Sequence, residues 1–289
     1  MNDAISLRPG TPADVAACGR ICFDGFKTFN DQHGFPPDFP SVEAASGLMT
    51  MLFSHPGVFG VVAESNGRVV GSNFLWEAEP VMGVGPITVE PTGQGRSVGK
   101  RLMQRVLERG RERNAASVRL VQAAFNTRSM SLYTKLGFDV REPLACMQGE
   151  PLRDPGAVPG HRVREATRDD VEVCCELARR VDGHERRAEL DFAIAQGTAR
   201  VVEHGGRVVG YATGIGFFAH AVALENSGLV ALIAGAEQIT GPGLLLPSRN
   251  GEVFRWCLAR GLRVVQPMTL MSTGLYNEPR GAFLPSILF

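Results

Sequence analysis

The sequence predicts an α/β protein made of two tandem copies of one fold, each a mixed, mostly antiparallel sheet flanked by helices. Three observations lead there. The segments beginning at Leu7 and at Val163 share a strand followed by a capped helix. Arg-Val-Val-Gly runs at 68–71 and 207–210 each follow a Val-rich stretch and a Gly-containing turn. Asn126, Gly137 and Pro143 return at one common offset as Asn250, Gly261 and Pro267. Each half reads strand, helix, hairpin, strand, helix, strand, helix, strand, the mixed order of an α/β layer protein.

The elements follow from local signals. Thr11 with Asp14, and Thr167 with Asp170, have the spacing of a capping box, with Asp in place of the usual Glu. Pro12 sits at a first helical position, where a missing N–H costs nothing. Asn66-Gly67 is the stronger hairpin turn and Gly205-Gly206 the weaker. A strand ends near Val89, a Gly-rich turn follows, and a helix with apolar Val98, Leu102 and Val106 begins. Another strand spans 118–122. The helix between Asn126 and Gly137 has its counterpart at 252–260. Residues 149–160 hold three glycines and three prolines and no apolar period, so they read as a linker between domains at 1–148 and 161–289.

Composition narrows the function classes. The chain has 289 residues with 30 basic and 30 acidic side chains, 44% apolar and 21% charged. A neutral chain with no basic block gives no electrostatic footprint for nucleic acid. The N-terminus lacks the basic and apolar regions of a secretory leader, and no apolar run reaches the length of a membrane span. The six cysteines are scattered and read as reduced core thiols of a cytoplasmic protein. Cys18 and Cys22 share a helix face, but no His or Asp cluster joins them, so no metal is expected.

The turn after Val89 carries the chemistry. Gly93-Gln94-Gly95-Arg96-Ser97-Val98-Gly99-Lys100 leads into a helix N-terminus. Backbone N–H groups converging there, with the positive end of the helix dipole, form a phosphate site. Arg96 and Lys100 add charge at its rim. It is not a P-loop, because Gly99-Lys100 is followed by Arg101. It is not a dinucleotide fingerprint either, because the glycine spacing is one residue too long.

The run Gln94-Gly95-Arg96-Ser97-Val98-Gly99 resembles the Q/R-x-x-G-x-G/A signature of the GCN5-related N-acetyltransferase (GNAT) superfamily, with Ser97 at the place of the first glycine. The run from Asn126 through Ser129, Leu132, Tyr133 and Lys135 to Gly137-Phe138 resembles that family's second signature, N-x-x-S-x-x-L/F-Y-x-K/R-x-G-F. The resemblance implies two tandem GNAT folds and acetyl-CoA as co-substrate, with a splayed pair of parallel strands in the first. It implies that Ile87, Thr88 and Val89 pair with the pantetheine amides and that Gln94 to Lys100 hold the pyrophosphate. Asn126, Ser129 and Tyr133 complete the cofactor set.

The implied reaction is direct attack of a primary amine on the thioester, with Tyr133 as the acid for the departing thiolate. For the base, Glu77 and Glu79 are candidates, with Glu90, His33 or a water chain as further routes. Phe29, His33, Phe35 and Trp76 would line the acceptor site, and core packing explains the aromatic rings equally well. The acceptor is a small-molecule amine or a peptide. A sensor that binds acetyl-CoA without turnover is the alternative.

The second half has lost these signals. Its stretch from Phe218 to Ser227 has no phosphate motif, Glu225 would repel an anion, and Cys257 stands where the first half has Tyr133. It reads as a degenerate GNAT-like domain. The apolar C-terminus, Ala282 to Phe289, is expected buried against a domain or a partner subunit, which leaves a homodimer open.

Overall fold

The computed structural model describes residues 5–91, 97–149 and 158–288, so most of the expected linker lies outside the described residues. The chain divides into two compact units. One comprises Met1–Leu120, Ser131–Phe138 and Leu288; the other comprises Val121–Met130, Asp139–Ile287 and Phe289.

In the first unit, β1 (Ile5–Pro9), β2 (Val58–Ser65) and β3 (Arg68–Trp76) pair antiparallel. The expected Asn66-Gly67 turn is present, with φ of 52° and 72°. The expected fourth strand is broken into β4 (Val81–Val84) and β5 (Thr88–Val89) around the Gly85-Pro86 step. Both pieces pair antiparallel with β3. β4 also pairs parallel with β6 (Ser117–Ala123), and that register runs only from Val81↔Ser117 to Gly83↔Arg119. β5 pairs with β3 alone among the described residues. The parallel pair thus separates at β5, as the sequence implied.

Helices cover both faces of this sheet because the side chains of β3 alternate. Phe74 and Trp76 pack with Cys18, Cys22, Met49 and Leu52 of α1 (Val15–His33) and α2 (Val42–Ser54). Asn73 and Gly71 instead face Met103 and Leu102 of α3 (Val98–Glu112). The sequence reading missed α2. Its local signals are present: Ser41 caps it by accepting from the Ala44 N–H at 3.3 Å, and Ala45, Met49 and Leu52 bury one face.

The second unit holds two sheets. β8 (His161–Glu165), β9 (Arg200–His204), β10 (Arg207–Ala212), β11 (Ala221–Ala223) and β14 (Ala282–Leu284) form one antiparallel sheet in the order β14-β11-β10-β9-β8. β7 (Asp139–Gln148) lies between β13 (Arg263–Gly274) and β12 (Leu244–Pro247). α5 (Val171–Asp182), α6 (Arg187–Ala195), α7 (Asn226–Ala234) and α8 (Gly251–Ala259) complete it. α6 answers to α2, as the extra helix of its half. α4 (Thr127–Lys135) and β6 contribute residues to both units.

The internal repeat is visible in the side-chain bonds. Arg8 holds Asp14 through two nitrogens at 2.8 and 2.7 Å and reaches Glu64 at 2.9 Å. Arg164 holds Asp170 at 2.8 and 2.8 Å and reaches Glu203 at 2.7 Å. Thr11 and Thr167 each give a backbone N–H and a hydroxyl to the same carboxylate, at 2.8 and 3.0 Å. Of the apolar C-terminal stretch expected to be buried, Ala282, Phe283, Leu284 and Ser286 are each no more than 5% exposed, Ile287 and Leu288 are half-buried, and Phe289 lies outside the described residues.

Candidate functional site

The site is built where β5, α3 and α4 meet. β5 lies close against β3 because residue 71 is glycine. A Cβ there would fall 2.7 Å from the Thr88 carbonyl oxygen and 3.3 Å from Leu102. On the opposite face of β5, Thr88 is buried and shares a 3.4 Å hydroxyl contact with Ser72. Ile87 and Val89 are half-buried.

Gln94, Gly95 and Arg96 lie outside the described residues; the phosphate signature is visible from Ser97 onward. Ser97 is the N-cap of α3 in a left-handed conformation, φ 60°. The Ser97 side chain makes no capping bond to this end among the described residues, and the first turn holds no acidic residue. The first N–H groups of α3, from Val98 to Lys100, therefore present a positive helix end. Val98 anchors that end in the core at 2% exposure, while Lys100 is exposed. Gly99 sits between the other two elements. A Cβ on it would stand 3.8 Å from both Val89 and Leu132. Among the described residues no neighbour would clash with a Cβ at this position.

α4 carries the second motif. Asn126 caps it, its side-chain oxygen accepting the Ser129 N–H at 3.0 Å. Tyr133 is 5% exposed, with its ring 6.1 Å from Phe138. Tyr133 belongs to the first unit; Asn126 and Ser129 belong to the second.

Residues 26–138 match the acetyltransferase (GNAT) family. This segment is a GNAT domain. Mycothiol acetyltransferase of Tsukamurella paurometabola is 28% identical over 150 residues, 48% of this chain and 50% of that protein. The chain thus spans about half the length of the curated relatives it matches. Two solved structures match nearly end to end. A proposed acetyltransferase from Pyrococcus horikoshii has a TM-score of 0.72 at 18% identity, covering 96% of this chain and 91% of that one. A GCN5-related N-acetyltransferase from Sphaerobacter thermophilus has 0.62 at 14%, covering 95% and 96%. At these identities the likeness shows the fold, and it extends through both halves.

The remaining candidates of the GNAT domain are spread over its rim. Glu77 is held by Arg109 of α3 through two bonds of 2.7 Å. It follows the α3-facing residues of β3, so alternation turns it away from the α1 side. Glu79 lies half-buried in the β3–β4 loop. Glu90 forms a two-bond pair with Arg68 at 2.6 and 2.8 Å. Trp76 faces α2, its ring 5.0 Å from His55. Phe29 and His33 share the end of α1 with rings 4.5 Å apart, and Phe35 follows the helix half-buried. Gly25, on the same helix, lies 3.9 Å by its Cβ position from the Val89 carbonyl, so α1 borders β5. Among the described residues no cluster of three or more His, Cys, Asp or Glu could hold a metal. No described helix is long and apolar enough to cross a membrane.

The sequence reading placed Gln122 on the cleft strand but gave it no role. It is 7% exposed, and neither its Oε1 nor its Nε2 has a hydrogen-bond partner among the described residues. The same strand also carries Ser117 and Arg119, so no sequence signal singled Gln122 out.

In the second half the equivalent cleft is closed by structure as well as sequence. β14 pairs along β11 through Ala223↔Ala282, Val222↔Phe283 and Ala221↔Leu284. Cys257 is fully buried, and burial pushes its thiol up to about 12, an inert group. Asn250 still caps α8, but its amide nitrogen is bonded to Asn226 at 2.8 Å.

Proposed function

We propose that this GNAT domain transfers an acetyl group from acetyl-CoA to a primary amine of a small-molecule or peptide acceptor. The observation that carries the reading is the meeting of β5, the N-terminus of α3 and the Tyr133 helix at Gly99. The residues present fit the cofactor. Ile87, Thr88 and Val89 would pair with the pantetheine arm. Gln94 to Lys100 would hold the pyrophosphate, and Asn126, Ser129 and Tyr133 would complete the set. Bound acetyl-CoA supplies an activated thioester.

The chain supplies position and a proton. The arm's amides align the thioester along β5, and an amine bound beside α1 attacks it directly. Tyr133 holds the proton needed by the departing thiolate; a phenol with an ordinary pKa near 10 suits a thiol leaving group. Glu77 is held by Arg109; Glu79, Glu90, His33 or a water chain are the other routes for the proton leaving the amine. Phe29, His33, Phe35 and Trp76 would form the acceptor wall. The second half reads as a degenerate copy of the fold without a second acyl-CoA site.

A thiol-release assay with acetyl-CoA against an amine library tests this. Turnover with at least one amine is expected, and Tyr133→Phe should lower kcat at saturating acetyl-CoA by about 10²-fold or more. Tight acetyl-CoA binding without turnover across the library would favour the sensor instead.

A further inference from the structure

The second half buries a polar network that its fold does not demand, and the repeat isolates it. Gly71 pairs with Val89 as Gly210 pairs with Ala223. In that alignment His220 stands where the first half has Pro86, and Tyr211 where it has Ser72. His220 and Tyr211 are each 1% exposed, and Asp182 of α5, Arg186 and Thr213 are buried around them. The Tyr211 hydroxyl lies 2.9 Å from His220 Nε2. Glu189 of α6 lies 2.9 Å from His220 Nδ1 by one oxygen and 2.6 Å from Arg186 by the other. The Thr213 hydroxyl accepts the His220 backbone N–H at 3.0 Å. Sealing such groups away from water is costly unless each bond of the network is kept.

These bonds fix where the protons sit. A carboxylate only accepts, so Nδ1 carries the ring proton and Nε2 accepts the Tyr211 O–H. A proton added to Nε2 reverses the second bond. The ring N–H then donates, the phenol oxygen accepts, and the phenol's own proton loses its acceptor. Burial and Arg186 hold His220 below its ordinary value, against Glu189 and Asp182, which favour the charged ring. Burial raises the Tyr211 phenol well above its ordinary value, with Glu189, Cys174 and Asp182 acting in the same direction, so it keeps its proton. The neutral arrangement is the resting one. A histidine held down in the fold costs stability as pH falls below its unfolded value, because the unfolded chain then binds the proton first.

The network is tied to the C-terminal segment. Ala221, the residue after His220, pairs with Leu284 of β14. Phe283 of β14 packs in one core cluster with Tyr211. Arg186 reaches the Ser286 hydroxyl at 3.4 Å, and the Ile287 N–H donates to the Phe217 carbonyl at 2.8 Å. We propose that His220 is a proton-operated latch on this segment: taking up a proton reverses its bond to Tyr211 and frees β14 from β11. The strand that closes the second half's cleft is then a strap that opens in mild acid.

Amide hydrogen exchange on the full chain, corrected for the pH dependence of intrinsic exchange, tests this. Protection of residues 282–287 should fall about tenfold or more between roughly pH 6.5 and 5, while amides of β2 and β3 keep theirs. His220→Gln offers an N–H to Glu189 and a carbonyl to Tyr211 without titrating, so its strap should stay protected across that range. A second measurement on wild-type protein covers the case in which the variant does not fold. The ring resonance of His220, read by NMR, should titrate with the midpoint of strap opening. Protection at 282–287 that does not change with pH would overturn the latch. So would a His220→Gln strap that opens as the wild type does, or a ring that titrates more than about one pH unit away from the opening.

Discussion

Leu144 of β7 lies opposite Met268 of β13, and each is the other's counterpart in the sequence repeat. The ladder is therefore self-matching: Ala145↔Pro267 on one side of the pair answers Pro143↔Thr269 on the other. Both side chains are buried in one cluster with Cys146, Leu245 and Leu270. Leu144→Ala and Met268→Ala should each cost about 2–5 kcal/mol. Because the two share a cavity, the double variant should cost less than the sum, and denaturant unfolding of the four proteins reads the coupling.

Gly71 and Gly99 differ in the room each leaves for a side chain among the described residues. Gly71→Ala drives a methyl into the Thr88 carbonyl and should destabilise the fold by about 1–3 kcal/mol. Gly99→Ala has room within the chain and gains helix propensity, so stability should hold or rise by up to about 1 kcal/mol. Its acetyl-CoA affinity should nonetheless fall roughly tenfold, the factor of a 1.4 kcal/mol loss. Thermal melts and cofactor titration on both variants check the contrast.

Asp14 and Asp170 set an acid limit on stability. Hydrogen bonds from Arg8 and Arg164 hold their carboxylates down from 3.8 to about 2, against a smaller opposing push from burial. A depressed carboxylate stabilises the folded state above its unfolded pKa. That contribution is lost as pH falls from about 4 through about 2. Each group should contribute about 1–2 kcal/mol at neutral pH, reduced by the partial exposure of its arginine. Asp14→Asn with Asp170→Asn should flatten the stability profile between pH 4 and 2, measured by denaturant midpoints across that range.

Glu77 is expected to hold α3 onto the end of β3 rather than to take a proton from the amine. Glu77→Gln should cost about 1–3 kcal/mol of stability through the lost charged bonds to Arg109. The acidic limb of kcat against pH should stay where it is in the wild type. A shifted limb with unchanged stability would restore Glu77 as the base.

Much of the local structure around the candidate site was legible in the sequence because its signals are local. The αL turn at Asn66-Gly67, the two capping boxes, the Asn126 cap and the helix start at Val98 each depend on a few adjacent residues. Gln94 to Gly99 and Asn126 to Phe138 carried the resemblance for the same reason. Glu77 was harder, because its neighbour Arg109 is 32 residues away and nothing in the spacing joins them. β14 is only three residues long and became a strand through its pairing with β11, not through its own length.

By itself the sequence determined that this chain is a duplicated α/β fold with one intact set of acetyltransferase signatures. Turn, cap and phosphate-loop chemistry is encoded within a few residues of backbone and does not wait for the rest of the chain. Only the tertiary structure decided that β7 takes its neighbours, β12 and β13, from the second half. It also decided that β14 lines the second cleft and that Gly71 brings β5 close to β3. These are pairings between distant segments, and each is chosen by which arrangement buries the most apolar surface while leaving the fewest backbone groups unpaired.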